Sequence, residues 1–386
     1  MRSFAMKSLG LPLFVVLAIT AHGQEVRFQK QVLNTRFYSE GCAVGDVNRD
    51  GKVDVLAGAY WYEAPGWAPH EIHYATPVVP NQGYQKSFIN AAMDVNQDGW
   101  IDQIVVGFPG EPVLWFENPR HGRSHWVSHE IHPSGCNESP QTGDIDKDGR
   151  LDLLFAYAPE NQMAWFAPPL KPGEGAFSRY PISGLNAPGT DRYSHGLGVA
   201  DINGDGRNDV MVTEGWWEGG ADPKQPNWTF HPAPFGPACA HMHGYDFDAD
   251  GDTDLISSSA HNYGIWWYEQ NKDDKGETTW TQHEIYSKAS QTHSLGFADI
   301  SRDGLPDLIT GKRFFAHNGH DPGAFEPAVL FWLEFSRKEG KPSWTYHPID
   351  SDSGVGTQFV VEDITGDGKF DIVTSNKKGT YVFLQE

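Results

Sequence analysis

Short apolar runs separated by acidic, glycine-rich turns fill the chain and recur in a fixed order. After each acidic turn comes an aliphatic or β-branched run such as Asp209-Val210-Met211-Val212, then an aromatic one, as in Leu114-Trp115-Phe116-Glu117 and Trp266-Trp267-Tyr268-Glu269. A further run reads aromatic-x-x-His-x-Ile: Trp67/His70/Ile72, Trp126/His129/Ile131, Trp228/His231, Trp280/His283/Ile285 and Trp344/His347/Ile349, with Phe177/Tyr180/Ile182 as a variant. With the strand that leads into each turn, this makes four short strands per unit, and units of 45 to 64 residues predict the blades of a β-propeller.

The turns share the pattern Asp-x-(Asp/Asn)-x-Asp-Gly-x-x-Asp. Its seven copies supply Asp46, Asn48, Asp50 and Asp54; Asp94, Asn96, Asp98 and Asp102; Asp144, Asp146, Asp148 and Asp152; Asp201, Asn203, Asp205 and Asp209; Asp246, Asp248, Asp250 and Asp254; Asp299, Ser301, Asp303 and Asp307; and Asp363, Thr365, Asp367 and Asp371. Alternate residues of a tight loop aim several hard oxygens inward while glycine permits the sharp turn, which suits Ca²⁺ with its six to eight oxygen ligands. Seven copies predict an all-β, seven-bladed propeller with a structural calcium loop in each blade. The last copy is followed by strands ending at Tyr381 to Leu384, with no fourth. Phe28 to Leu33 fits the outermost strand, so the N-terminal strand is expected to complete blade seven and close the ring, which removes exposed sheet edges.

Composition changes the picture at three points. Arg2 and Lys7 precede the apolar run Leu9 to Thr20, and Ala21-His22-Gly23 offers small residues before Gln24, the pattern of a secretory signal. Residues 1–23 are therefore expected to be removed, leaving residues 24–386 as one exported propeller, periplasmic or extracellular. No apolar run reaches the ~20 residues of a membrane span. The formal charge of −22, or −24 without Arg2 and Lys7, argues against nucleic acid or anionic lipid as a partner. Three cysteines, Cys42, Cys136 and Cys239, are too few for a disulfide framework and are expected as buried thiols.

The seventeen histidines divide by the same repeat. His70, His129, His231, His283 and His347 belong to the outer strands and read as architecture. The innermost strand of each blade lines the channel, and the residue six before each first Asp reads Glu40, Phe88, Glu138, His195, Ala240, His293 and Thr357. In the fifth blade a segment one residue shorter places His241 level with His195 and His293. Three imidazoles around an axis suit a divalent transition metal such as Zn²⁺ or Mn²⁺ with an open position for a substrate oxygen. Strand direction brings Glu138, Tyr193, His261 and the long connection from Lys312 to Pro327, with Arg313 and His317, to the same face. These six residues, Lys312 included, are the candidate catalytic groups. A metal with cations at the mouth polarises a carbonyl while a His, Tyr or Glu removes the adjacent proton.

Stretches such as Gly196-Leu-Gly-Val-Ala-Asp201-Ile-Asn-Gly-Asp205-Gly206 resemble FG-GAP/VCBS repeats over the whole mature chain, which implies the fold and little about function. Ser194-His195-Gly196, Gly215-Trp216-Trp217-Glu218, Ser258 through Glu269, Gln291-Thr292-His293 and Thr310-Gly311-Lys312-Arg313 through His317 look like the propeller of aldos-2-ulose dehydratase and its bacterial relatives. That resemblance implies metal-dependent elimination from a keto-sugar or keto-glycoside, a carbon–oxygen lyase acting on a small molecule or oligosaccharide. The chain departs from that enzyme in lacking cupin domains, so isomerase activity is not implied. A polysaccharide lyase and a non-catalytic carbohydrate- or protein-binding propeller are the alternatives.

Overall fold

The computed structural model describes residues 26–122 and 124–386; the expected leader, residues 1–23, lies outside them. Seven four-stranded antiparallel sheets make up the molecule. Blade three, for example, runs Gly135–Gly143, Asp152–Tyr157, Gln162–Ala167 and Ser178–Pro181, from the channel outward. In the seventh sheet Phe28–Asn34 pairs antiparallel with Gly379–Gln385, Phe28 opposite Gln385. Among the described residues the helical content is one 3₁₀ turn, Ala316–Gly319, and no helix is long and apolar enough to cross a membrane.

The second strands, such as Asp209–Val212 and Asp307–Gly311, are buried along their whole length, because each blade packs face to face against two neighbours. Hence they read as continuous apolar runs, without polar–apolar alternation. The buried apolar residues form seven clusters, one at each blade–blade interface. Leu153, Phe155 and Phe166 of blade three meet Ile104, Val106 and Trp115 of blade two in one of them. No blade owns a core, so the ring is the cooperative unit. Cys42, Cys136 and Cys239 are buried free thiols in this packing.

The acidic turns repeat one hydrogen-bond design. In six copies the first Asp accepts the backbone N–H groups of positions five and six, as Asp46 does from Asp50 and Gly51 at 3.0 Å each and Asp144 from Asp148 and Gly149 at 2.9 Å each; Asp246 accepts only that of Gly251. The glycine at six adopts φ between +83° and +100° in all seven copies, where any Cβ would be strained. The ninth Asp opens the second strand and is buried. In six copies it accepts one N–H from its own loop and one from the end of the third strand; for Asp209 these are Ile202 and Gly219, at 2.8 and 2.7 Å. Burial pushes these carboxyls up, to about 7 at Asp102, Asp152 and Asp254. Asp144, Asp146 and Asp152 bring three carboxylate oxygens within 4.8 Å of one another, as do Asp246, Asp248 and Asp250.

On the rim, five blades carry the same clasp. The outer-strand histidine stacks on a third-strand Trp and bonds a third-strand Glu: His70 lies 4.2 Å from Trp61 and 2.9 Å from Glu63, and His283 lies 4.4 Å from Trp267 and 2.7 Å from Glu269. His129, His231 and His347 repeat it with Trp115/Glu117, Trp216/Glu218 and Trp332/Glu334.

Candidate active site

First strands enter their acidic turns on one face, so their starting ends and the ends of the second strands meet on the other. There a cavity of about 310 Å³ is lined by Tyr84, Phe108, Glu138, Tyr193, His195, His261 and His317. Glu138 reaches it from an irregularity: the register of blade three's inner strand shifts between Cys136 and Gln141, and Asn137 takes φ +71°. Bulges of this kind re-aim side chains. The Asn137 and Glu138 N–H groups donate to the Arg192 and Ser194 carbonyls, tying the bulge to the segment that carries Tyr193 and His195.

At the base of the cavity three donor atoms converge. Glu138 Oε2 is 3.3 Å from His293 Nε2 and 3.4 Å from His195 Nε2, and the three lie within 4.8 Å of one another, all buried. His195 Nδ1 bonds the Tyr193 carbonyl at 3.0 Å. That contact requires the proton on Nδ1, which leaves Nε2 with its lone pair toward Glu138. Buried His195 Nε2 has no aligned hydrogen bond, its 3.4 Å approach to Glu138 being off axis. Arg313, fully buried, reaches Glu138 Oε2 at 3.4 Å and Glu40 Oε2 at 3.6 Å, its guanidinium over the Phe88 and Tyr84 rings.

This network separates the two carboxyls electrostatically. Burial pushes Glu138 up, but the hydrogen bond with His293, the contact with His195 and the Arg313 charge outweigh it and hold the group well below the usual range. Burial also raises Glu40, and there Arg313 and Lys377 offset it only in part. Burial pushes the Lys377 ammonium down to about 8 and, reinforced by Arg313, drives His293 well below the ordinary imidazole value.

A second group stands at the mouth. His317 Nδ1 is 2.6 Å and His261 Nδ1 3.4 Å from Asp321 Oδ2, and the two Nδ1 atoms are 3.0 Å apart. Its His261 ring lies 4.5 Å from the ring of His195, so the two groups are contiguous.

The sequence-derived candidates are thus sorted. His195 and His293 come together with Glu138, whereas His241 stands outside the group, Nδ1 facing Ser294 Oγ at 3.3 Å. Arg313, Tyr193, His261 and His317 are at the cavity or its wall. Lys312 is not: its buried ammonium bonds the Gly323 and Glu326 carbonyls and fastens the long connection. Three residues not singled out matter here. Asp321 follows His317 by one helical-turn spacing, Glu40 occupies the same inner-strand position as Glu138, and Tyr84, whose hydroxyl accepts the His317 N–H at 2.7 Å, lies in the connection between blades one and two. A larger, mostly apolar cavity of about 350 Å³ between those blades, lined by Tyr38, His73, Tyr74 and Phe116 among others, brings together no set of metal donors.

Residues 94–155 and 246–310 match the model of the FG-GAP-like repeat, two acidic turns in each stretch. No curated protein sequence matches the chain. Among solved structures, the exotype rhamnogalacturonan lyase YesX aligns with a TM-score of 0.50 at 13% identity, covering 91% of this chain and 72% of its own. BBS1N, solved in complex with ARL6DN, aligns at 0.52 and 8% identity over 92% of this chain and 94% of its own. The V. cholerae biofilm matrix protein Bap1 aligns at 0.46 and 10% identity over 92% and 91%. At these identities the likeness is one of fold. The chain carries FG-GAP-like repeats on a seven-bladed propeller.

Proposed function

We propose that this chain is a metal-dependent carbon–oxygen lyase that eliminates a hydroxyl or glycosyl oxygen β to the carbonyl of a keto-sugar. The observation that carries this reading is the convergence of Glu138 Oε2, His195 Nε2 and His293 Nε2 at the base of an open cavity. Two imidazoles and a carboxylate suit a divalent transition ion, and the cavity leaves room for a substrate oxygen. Such an ion, when bound, polarises the ketone and acidifies the adjacent C–H.

The remaining roles fall to side chains. Arg313 orients Glu138 and keeps it ionised. Tyr193 is assigned the proton transfer: its ring lines the cavity, with the Arg192 guanidinium 5.2 Å from its centroid. Removal of the proton on the carbon beside the ketone expels the β-oxygen, which takes up a proton on leaving and yields an unsaturated ketone. His261 and His317 line the mouth where the sugar enters.

The first Asp of the acidic turns, held by two N–H groups in six of the seven copies, supports calcium as a staple of the turns, and the pairing of Phe28–Asn34 with Gly379–Gln385 supports an N-terminal strand acting as the clasp of the ring. The run Leu9 to Thr20 supports export, checked by finding Gln24 at the N-terminus of the mature protein.

The decisive experiment measures elimination from 3-keto-glycosides and keto-sugars by the ultraviolet absorbance of the enone. Protein stripped of transition metal with calcium replenished should be inactive and recover with Zn²⁺ or Mn²⁺, and His293→Ala should be inactive yet folded. Full activity of either preparation sinks the metal role. Saturable sugar binding by the intact protein without turnover replaces the reading with a carbohydrate-binding propeller.

A further inference from the structure

We infer that the cavity binds a second divalent transition ion, held by His261 Nδ1, His317 Nδ1 and Asp321 Oδ2 at its mouth. The inference adds an ion to the site proposed above and stands whether or not the reaction there is an elimination.

The separations among the three atoms, 2.6, 3.0 and 3.4 Å, bracket the ~3.3 Å edge of a tetrahedron whose corners lie ~2.0 Å from a zinc ion. Hydrogen bonding alone serves this trio poorly. A neutral imidazole has one N–H. If both Nδ1–H groups donate to Asp321 Oδ2, at 2.6 and 3.4 Å, two proton-bearing nitrogens face each other at 3.0 Å; if only His317 donates, the His261 lone pair faces a nitrogen whose proton is already committed. One cation replacing those protons satisfies all three atoms together. Among the described residues no lysine or arginine bonds Asp321, so its carboxylate has no permanent cation as a partner.

The surroundings are built to hold this arrangement. Gln291 Nε2 donates to Asp321 Oδ2 at 3.1 Å, the outer-shell bond that orients a ligating carboxylate. Gln291 itself takes φ +55°, and its carbonyl accepts the His293 and Arg313 N–H groups, which links the two donor sets through one residue. His317 lies in a run of left-handed residues, Phe315, His317 and Asn318 at φ +54°, +47° and +53°. Such non-glycine conformations are strained and persist where the fold imposes them, often at ligand clamps. The Tyr84 hydroxyl pins the His317 N–H from across the ring. With side chains about one-third exposed, the two imidazoles leave an open side for a substrate oxygen. The class of ligand is a borderline-soft divalent ion, Zn²⁺, Co²⁺ or Ni²⁺, in preference to Ca²⁺.

The test loads the full-length protein with Zn²⁺ in the presence of excess Ca²⁺, removes free metal and counts zinc by elemental analysis, with circular dichroism to verify the fold. Two equivalents are expected in the wild type, one in His317→Ala and in Asp321→Asn, and one in His293→Ala. Co²⁺ loading should give d–d absorption that loses one component in each variant. A single wild-type equivalent that survives both His317→Ala and Asp321→Asn but disappears in His293→Ala overturns the second ion and leaves the proposed function intact. A single equivalent lost in His317→Ala and Asp321→Asn and kept in His293→Ala also overturns a second ion, and moves the proposed function's metal to the mouth.

Discussion

Two populations of histidine use the same imidazole for opposite ends. On the rim, His70, His129, His231, His283 and His347 each stack on a tryptophan and bond a glutamate, in five blades with distances agreeing within a few tenths of an ångström. In the channel, His195, His293, His261 and His317 meet one another and two carboxylates across blade boundaries, and no blade repeats another. The rim histidine is satisfied within its own sheet. The channel histidine is incomplete without residues from other blades, so assembling the ring is what creates the site.

The sharpest way to break the comparison is to remove chemistry without touching packing. Tyr193 is 52% exposed, so Tyr193→Phe leaves the core unaltered. Turnover should fall by about 10²–10⁴-fold with zinc content and thermal midpoint unchanged. A variant within threefold of wild-type kcat removes Tyr193 from proton transfer and returns the role to another group on the cavity wall.

Calcium comes next. The acidic turns lie on the face opposite the cavity, so removing calcium should strip stability before it strips the site. Stripping calcium while zinc is retained should lower the melting temperature by ~10 °C or more, because an ion that binds only the folded turns stabilises by mass action. Restoring calcium should reverse the shift. An unchanged midpoint leaves the turns as hydrogen-bonded loops that need no ion.

How much of this was legible in the sequence follows from what repeats. Seven acidic turns and the recurring outer strand read directly as blades, because each blade solves the same packing problem with the same residue types. His195, His293 and Glu138 were legible because they depart from the repeat at one equivalent position. His241 was not: levelling it with its neighbours assumed a one-residue shortening, whereas the backbone pairs His241 with Leu197 in a parallel bridge and its Nδ1 meets Ser294. Lys312 was misplaced for a different reason. Its position at a strand end was right, but nothing in a sequence shows that nearby carbonyls, those of Gly323 and Glu326, will take up an ammonium. Asp321 sits in a connection with no counterpart in other blades, so no equivalence could locate it.

His241 also offers a pH test that separates packing from chemistry. Burial, with a smaller contribution from His243, lowers it from 6.5 to about 3. A base whose folded value is depressed binds fewer protons folded than unfolded between those limits. Its contribution to stability is therefore complete above pH 6.5 and lost progressively as pH falls toward 3, by a few kcal/mol at the limit. Denaturant melts from pH 7 to pH 4 should show a smaller loss of stability in His241→Gln than in the wild type, with both zinc equivalents kept. Loss of zinc in this variant would restore His241 to the metal set.

The smallest effect belongs to the rim. His283 and Glu269 are 2.7 Å apart, but their side chains are 40% and 27% exposed, and ion pairs at such sites contribute ~0–1 kcal/mol. Stacking on Trp267 adds a comparable amount. His283→Ala should thus lower stability by ~1 kcal/mol, with turnover and zinc content unchanged. In a double-mutant cycle with Glu269→Gln the coupling should stay below ~1 kcal/mol, and because the five clasps lie in separate blades, their deletions should add. A rim substitution that lowers turnover tenfold without loosening the ring would show that the outer histidines reach the chemistry after all, and the division between repeated and unrepeated imidazoles would fall with it.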